Sequence, residues 1–578
     1  MGIGPAVFQT AGRRTEHFVP GAYSRSAAIG GAGSGVSANN GVLVGRARGG
    51  EPNRLLRFSS LEDASQTLVG GDLLKAVAHF FNPSPEYSPQ AVLAMVVNGN
   101  TQAQCILSAG DVDILRLKTA GYGVASNGVS LKLTNGTNAG THRLTIRHGE
   151  IETRIDNIGK RSFQVRCAEI DGSAVFSVDK SGVSVKITGG SGGNDNLRFS
   201  FEDYPTIDDL VRRLNGTGYF AVELLDEEPG ALSSELDYIE DVTISKQPVI
   251  FTSNLAALIE ALESSEWVGR GNVEKIEGAP NVMPYNEGSA VFFEGAIAGD
   301  FKVNDWVRTL AALETENIQM IATHVTDPDV HALISNHCTA MSNVQNRRER
   351  TALLGGPIGQ TVDEAVAEAR SLNNSLVSYC YPSIRAACPL TGVPEDLPAS
   401  YFACKLLGME TSMAVNEPLT WKNVSVLRFL TRLRVPDMEM LIQGGVLCGG
   451  ITDDNRLAVI RAMTTHKGRQ LQLCERSMVR QDLFMNRDLR HQFSLAVGRP
   501  AIGGIANANQ TLLDAARRWA GEGLIVPNGD GENVWGVAIR KSGDQTFISF
   551  HRNLTAPQNF FFITAYNHVY ESGTTVTV

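Results

Sequence analysis

The feature that most constrains this 578-residue chain is an interruption: an alternation of helix and strand that begins at residue 41 stops near 101 and resumes near 255. Residues 41–98 read as strand, helix, strand. Gly41-Val42-Leu43-Val44-Gly45 is a short apolar run, and Asp72 is placed to cap a helix whose Leu73, Leu74, Val77, Phe80 and Phe81 recur at helical spacing. Asn82-Pro83-Ser84-Pro85 stops that helix, and Ala91 to Val97 has the pattern of a buried strand. From 255 to 420 the alternation returns. Trp306, Val307, Leu310 and Leu313 form one helical stripe before the strand Ile318 to Ala322, and Val330, Leu333, Ile334, His337, Cys338 and Met341 form the next. A third helix opens on the capping box Thr361-Val362-Asp363-Glu364 and leads to the strand Ser375 to Tyr381. Such repeats imply a parallel sheet with helices on its faces.

Between the two stretches the texture is different. Ser130–Leu133, His142–Ile146, Phe163–Cys167 and Val183–Ile187 are short β-prone pieces separated by Asn-Gly, Gly-Gly and Asp-Gly turns, with one helix at Ile207–Leu214. Strands at this spacing predict a small antiparallel sandwich or barrel inserted at 101–250. Residues 421–565 read as α+β, with helices near 475–496 and 508–521 and strands at 440–448, 457–464, 533–540, 546–551 and 558–565. The ends are extended. Thr574-Thr575-Val576-Thr577-Val578 is β-branched with nothing after it to pair with, and Phe18-Val19-Pro20-Gly21-Ala22-Tyr23 leads into a Ser/Gly/Ala/Asn-rich linker, Ser24 to Gly41. A terminal strand without a local partner either frays or adds to an exposed sheet edge, its own or a neighbour's.

Composition narrows the function classes. The length implies roughly three or four domains at about 150 residues each. A formal charge of -10 without long single-sign runs argues against nucleic acid as the main partner, and no apolar run approaches a bilayer span. No secretory signal is visible, so synthesis in a cytosol is expected. The eight cysteines include no CxxC pair, so metal-site spacing is absent and buried thiols are expected. Whether any of them form intersubunit disulfides stays open.

Candidate chemistry is thin. Thr411-Ser412-Met413-Ala414 resembles the nucleophile segment of subtilisin-like proteases, but Glu410 stands where that family has Gly, and no matching His or Asp segment lies upstream. Gly30, Gly31, Gly33 and Gly35 lack the Lys and the strand–helix context of a phosphate cradle. His79 and His337 lie on apolar stripes, and Asp453-Asp454 and Glu227-Glu228 suit solvated loops. No catalytic, cofactor or metal residues are assigned.

The order of parts, by contrast, resembles one family. Pro20-Gly21-Ala22-Tyr23, Gly121-Tyr122-Gly123 with Asn127, Glu152 to Ile158, Thr206-Ile207-Asp208-Asp209-Leu210-Val211 with Leu214-Asn215, and Asp305-Trp306 with Leu313-Glu314 are similar, in sequence order, to segments of the sheath proteins of contractile bacteriophage tails. Val424-Ser425-Val426-Leu427-Arg428-Phe429 matches the Arg-rich start of that family's C-terminal domain only in part. The resemblance implies a multidomain α/β and α+β fold. An N-terminal arm and linker at 1–40 precedes a non-catalytic subtilisin-like α/β domain at 41–100 with 251–420, which carries a β-rich protrusion domain at 101–250. A C-terminal α+β domain follows at 421–565, with a strand arm at 566–578.

It further implies hexameric rings stacked around a tail tube, contracting to drive the tube through a host envelope. The partners would be copies of the chain, the tube protein, and baseplate and tail terminator proteins, with no nucleic acid, membrane or cofactor. The place would be the virion tail, after synthesis in the bacterial host cytoplasm. Strand exchange between copies would use Val19, Pro20, Gly21, Tyr23, Thr574, Thr575, Val576, Thr577 and Val578, and the helix Leu512 to Trp519 would turn Arg517 and Arg518 toward the tube. The sheath of a bacteriocin or secretion device and a subtilisin-like serine hydrolase are the alternatives.

Overall fold

The computed structural model describes residues 6–10, 13–17, 39–168, 173–189, 195–226, 230–284, 289–498, 504–562 and 564–567. Its centre is an eight-stranded sheet. In chain order the strands are β1 Gly41–Gly45, β2 Leu55–Phe58, β3 Val92–Val96, β4 Met320–Thr323, β5 Thr351–Gly355, β6 Val377–Tyr381, β7 Val446–Ile451 and β8 Leu457–Arg461. Across the sheet they lie in the order β8-β7-β6-β5-β4-β1-β3-β2. Strands β7 through β3 in that order are parallel, and an antiparallel strand closes each edge.

Both faces are covered, as a parallel sheet requires. Leu43 points into a core shared with the helices α1 Asp72–Phe81 and α5 Ala399–Ser412. Its neighbours Val42 and Val44 point into a second core. That core holds Trp306 and Leu310 of α2 Val303–Leu313, Ile334 of α3 Pro328–Met341 and Ala365 of α4 Val362–Leu372. Helix α4 begins on the expected capping box: Thr361 Oγ1 accepts from Glu364 N at 3.3 Å, and Glu364 Oε2 accepts from Thr361 N at 2.8 Å. In α1 the cap is Gly71, and Asp72 is instead the first helical residue, where its charge suits the helix dipole.

Two readings of the sequence are corrected. The strands read at 440–448 and 457–464 belong to the central sheet, not to a separate C-terminal unit. Val446–Ile451 pairs in parallel with Val377–Tyr381, and residues 440–443 end the helix Val435–Gln443. The α/β layer therefore runs past residue 420. The insertion, in turn, runs past 250. Val273–Lys275 and Val291–Phe292 pair with Val112–Tyr122 and Val129–Asn135, and Leu255, Leu258 and Leu262 fill the core beneath them rather than facing the central sheet.

The insertion is two β units, one nested in the other. The outer unit is a three-stranded and a four-stranded sheet around Leu117, Leu131, Ile146 and Phe293. The nested unit, 161–252, has its own three- and four-stranded sheets and its own core, with Phe163, Phe176 and Phe251 packed against Leu210 and Leu214 of the helix Ile207–Asn215. Thr206 caps that helix by accepting from Asp209 N at 3.2 Å. The chain enters and leaves the nested unit at one point, where Ser253 N donates to Lys160 O at 3.0 Å.

Candidate assembly interface

The remaining unit follows β8. The helices α6 Arg476–Ser494 and α7 Gly504–Gly521 enclose Phe484, Met485, Leu512, Ala516 and Trp519. The strands Trp535–Ser542 and Gln545–His551 form a hairpin that lays Val537, Ile548 and Phe550 on this core. No third strand joins the hairpin among the described residues, so both of its outer edges keep free backbone donors and acceptors. A lone hairpin is marginal by itself, and such edges are templates for added strands.

After Asn553–Leu554 the described residues 555–562 and 564–567 do not form the strand expected at 558–565. It runs as irregular backbone with Phe560 63%, Phe561 73%, Phe562 95% and Tyr566 81% exposed. Apolar β-prone residues make a strand only beside a partner, and here none is present among the described residues.

The start of the described body is anchored close to the same unit. Asn39 Nδ2 donates to Met413 O at 2.8 Å, and Arg480 Nη2 of α6 donates to Asn39 Oδ1 at 3.2 Å. Farther toward the N-terminus, Ala6–Thr10 and Arg13–His17 pair as an antiparallel hairpin. Val19, Pro20, Gly21, Tyr23 and Thr574 to Val578 lie outside the described residues.

Helix α6 is joined to the α/β layer by a buried charge cluster. Arg476 donates to both carboxylate oxygens of Glu410 at 2.8 Å, and Arg480 Nη1 stands 3.4 Å from the same carboxylate. The remaining nitrogen of Arg476, Nη1, donates to Ala352 O at 3.0 Å and Ser378 Oγ at 3.2 Å on β5 and β6. Burial lowers the pKa of Arg480, with Glu410 opposing.

Comparison with known proteins points the same way over most of the chain. No protein-family model matches the chain. A tail sheath protein of Bacillus phage SP01 is 24% identical over 572 residues, covering 96% of this chain and 95% of that protein. A putative tail sheath protein of Enterococcus phage phiEF24C is 24% identical over 459 residues, covering 73% of this chain and 74% of its own. The chain is a homologue of phage tail sheath proteins. Its fold agrees: the crystal structure of a sheath tail protein from Listeria innocua superposes with a TM-score of 0.55 at 11% identity, over 89% of this chain and 95% of that one.

Within this sheath homologue the two candidate arginines separate. Arg517 is the outward one, its side chain 66% exposed and tied among the described residues to Asp514 one turn back at 2.9 Å. Arg518 instead turns inward, where its Nη2 donates at 2.8 Å to Asp488 Oδ2, which also accepts from Trp519 Nε1 at 2.7 Å. Asp488 is fully buried, so Arg518 compensates a core charge.

Ser412 ends α5, and its hydroxyl donates within its own helix, toward Gly408 O and Met409 O, each at 3.0 Å. All eight cysteines are free and buried, and burial pushes the Cys105, Cys338 and Cys448 thiols up to about 12. The Glu410 cluster escaped the sequence reading. Its one signal was a Glu and two Arg at core spacing on otherwise buried helices.

Proposed function

We propose that this chain is a structural subunit of a contractile phage tail sheath. The observation that carries the reading is sequence similarity over almost its full length to a protein named as a tail sheath. On this reading, copies form hexameric rings stacked around a tail tube, and the stack contracts to drive the tube through a host envelope. The α/β layer serves as a subtilisin-like scaffold without catalysis. The partners are the tube, baseplate and terminator proteins, and the place is the virion tail, after synthesis in the host cytoplasm.

The open hairpin supports strand exchange. Two free edges per copy suit the segments 19–23 and 574–578 of neighbouring copies, each added strand bringing net hydrogen bonds of about 0.5–1.5 kcal/mol. Arg517 is the tube-facing candidate that its exposure favours. The nested unit suits a peripheral protrusion. Its acidic residues outnumber its basic ones by sixteen to eight, so copies of it repel rather than adhere.

Truncation after Tyr566 tests the exchange. The reading expects a folded monomer with near-wild-type circular dichroism and melting, and no long polymers in sedimentation. Regular cylinders from the truncated chain would refute the donated strand. A hydrolase reading gains nothing from Ser412, whose hydroxyl is bonded into its helix.

A further inference from the structure

Glu475 precedes helix α6 as its N-cap residue, yet its side chain caps nothing. It is 0% exposed, and neither carboxylate oxygen has a hydrogen bond of good geometry. The nearest cation, Arg461 at the end of β8, keeps its Nε 3.6 Å away, and that nitrogen also lacks a hydrogen-bond partner. The other cover is the C-terminal tail. The Asn559 side chain faces the carboxylate, and the Phe560 ring lies under the Arg461 guanidinium with 5.4 Å from Cζ to the ring centre. Past this point the tail turns out to solvent at Phe561 and Phe562.

A buried carboxylate with one poorly aligned cation is costly when ionised and tolerable when protonated. Among the described residues no other charge compensates it. Arg476 and Arg480 on its own helix are turned to Glu410, and the adjacent Cys474 thiol is held neutral by burial. Met463, bridged to Glu475 through the backbone, carries no charge.

We propose that Glu475, Arg461, Asn559 and Phe560 form a proton-dependent latch at the root of the C-terminal tail. With the tail down, burial keeps Glu475 protonated and outweighs the Arg461 and Asn559 contacts, which favour the anion. When ionised, Glu475 favours lifting of the tail, because lifting returns its carboxylate to water. In the closed state burial, opposed by Arg461 and by a hydrogen bond from Asn559, raises its pKa from 4.5 to about 7. The closed state therefore binds more protons than the open one. The latch is tightest below the ordinary carboxylate range and is lost as pH rises through about 7. This is a property of the single chain and stands apart from the sheath reading.

The test is thermolysin cleavage of the full-length protein on the N-terminal side of Phe560. Each rate is divided by that of a free peptide spanning 553–567 at the same pH. The Phe560 ring is mostly exposed, but the protease must draw the backbone on both sides of it into its cleft, which breaks the Asn559 and Arg461 contacts, so the normalised rate follows the open population when closing is fast. The latch predicts a rate about 30-fold lower at pH 5.5 than at pH 8.5. Glu475→Gln, neutral at every pH, should show the low rate throughout. A flat wild-type profile would overturn the latch. So would a Gln variant that keeps the wild-type profile, or one that is cleaved at pH 8.5 as fast as wild type.

Discussion

Arg476 and Glu410 form a two-pronged pair, with Nε and Nη2 each 2.8 Å from a carboxylate oxygen, and both side chains are at most 2% exposed. The pair joins α6 to α5 across the boundary between the C-terminal unit and the α/β layer. Removing one partner of such a pair strands the other charge in the core, at about 3–5 kcal/mol. Glu410→Ala should therefore lower the chemical denaturation midpoint sharply, and by more than Glu417→Ala, whose partner Lys422 is partly solvated. Equal losses in the two variants would show that the junction does not depend on the buried pair.

The nested β unit should be removable. Its entry and exit, Lys160 and Ser253, are already hydrogen-bonded, and its core is its own. Replacing 161–252 with a short Gly/Ser linker should leave a folded protein that melts near wild type and still polymerises. Aggregated or unfolded product would show that the unit supports the body, and folded protein unable to polymerise would make it part of the lattice.

Lys405 gives the core a pH signature. It is fully buried on α5, with Nζ donating to Asn82 O at 2.5 Å at the end of α1, and burial lowers its pKa from 10.5 to about 7. Between those values the folded state holds fewer protons, so the lysine destabilises the fold at neutral pH and that cost fades as pH rises toward 10.5. The free energy of denaturation of wild type minus that of Lys405→Met should grow by roughly 2 kcal/mol from pH 7 to pH 9. A constant difference would contradict the buried, deprotonating amine.

Ser412→Ala should be silent. The hydroxyl adds only a weak extra bond to carbonyls already used in the helix, so melting should change by less than the shift expected for about 1 kcal/mol. Fluorophosphonate should not label the wild type. Stoichiometric labelling of Ser412 would restore a nucleophile to this position.

What was legible in the sequence was what repeats with a period or carries a cap. The stripes of Trp306–Leu313 and Val330–Met341, the Thr361–Glu364 box and the turn-rich insertion all fold as their patterns imply. Helix α5 was missed because it is buried on nearly every side and so shows no polar face to mark its period. Gly408 lies inside it because the Phe80 carbonyl passes so close that an added Cβ would stand 2.2 Å away. The stripe of Leu255, Leu258 and Leu262 fits either side of the boundary, since periodicity gives a helix's apolar face but not its partner. The membership of Val446–Ile451 in the central sheet rests on pairing with Val377–Tyr381 across the intervening chain, and Phe560 to Phe562 read as a strand only while a partner was assumed.

The most direct measurement of the central claim is negative-stain electron microscopy of the purified full-length chain at high concentration. A sheath subunit should give hollow, regularly striated cylinders with six-fold rings in cross-section. Monodisperse globules at every concentration and salt condition, from protein that is folded by circular dichroism, would contradict it.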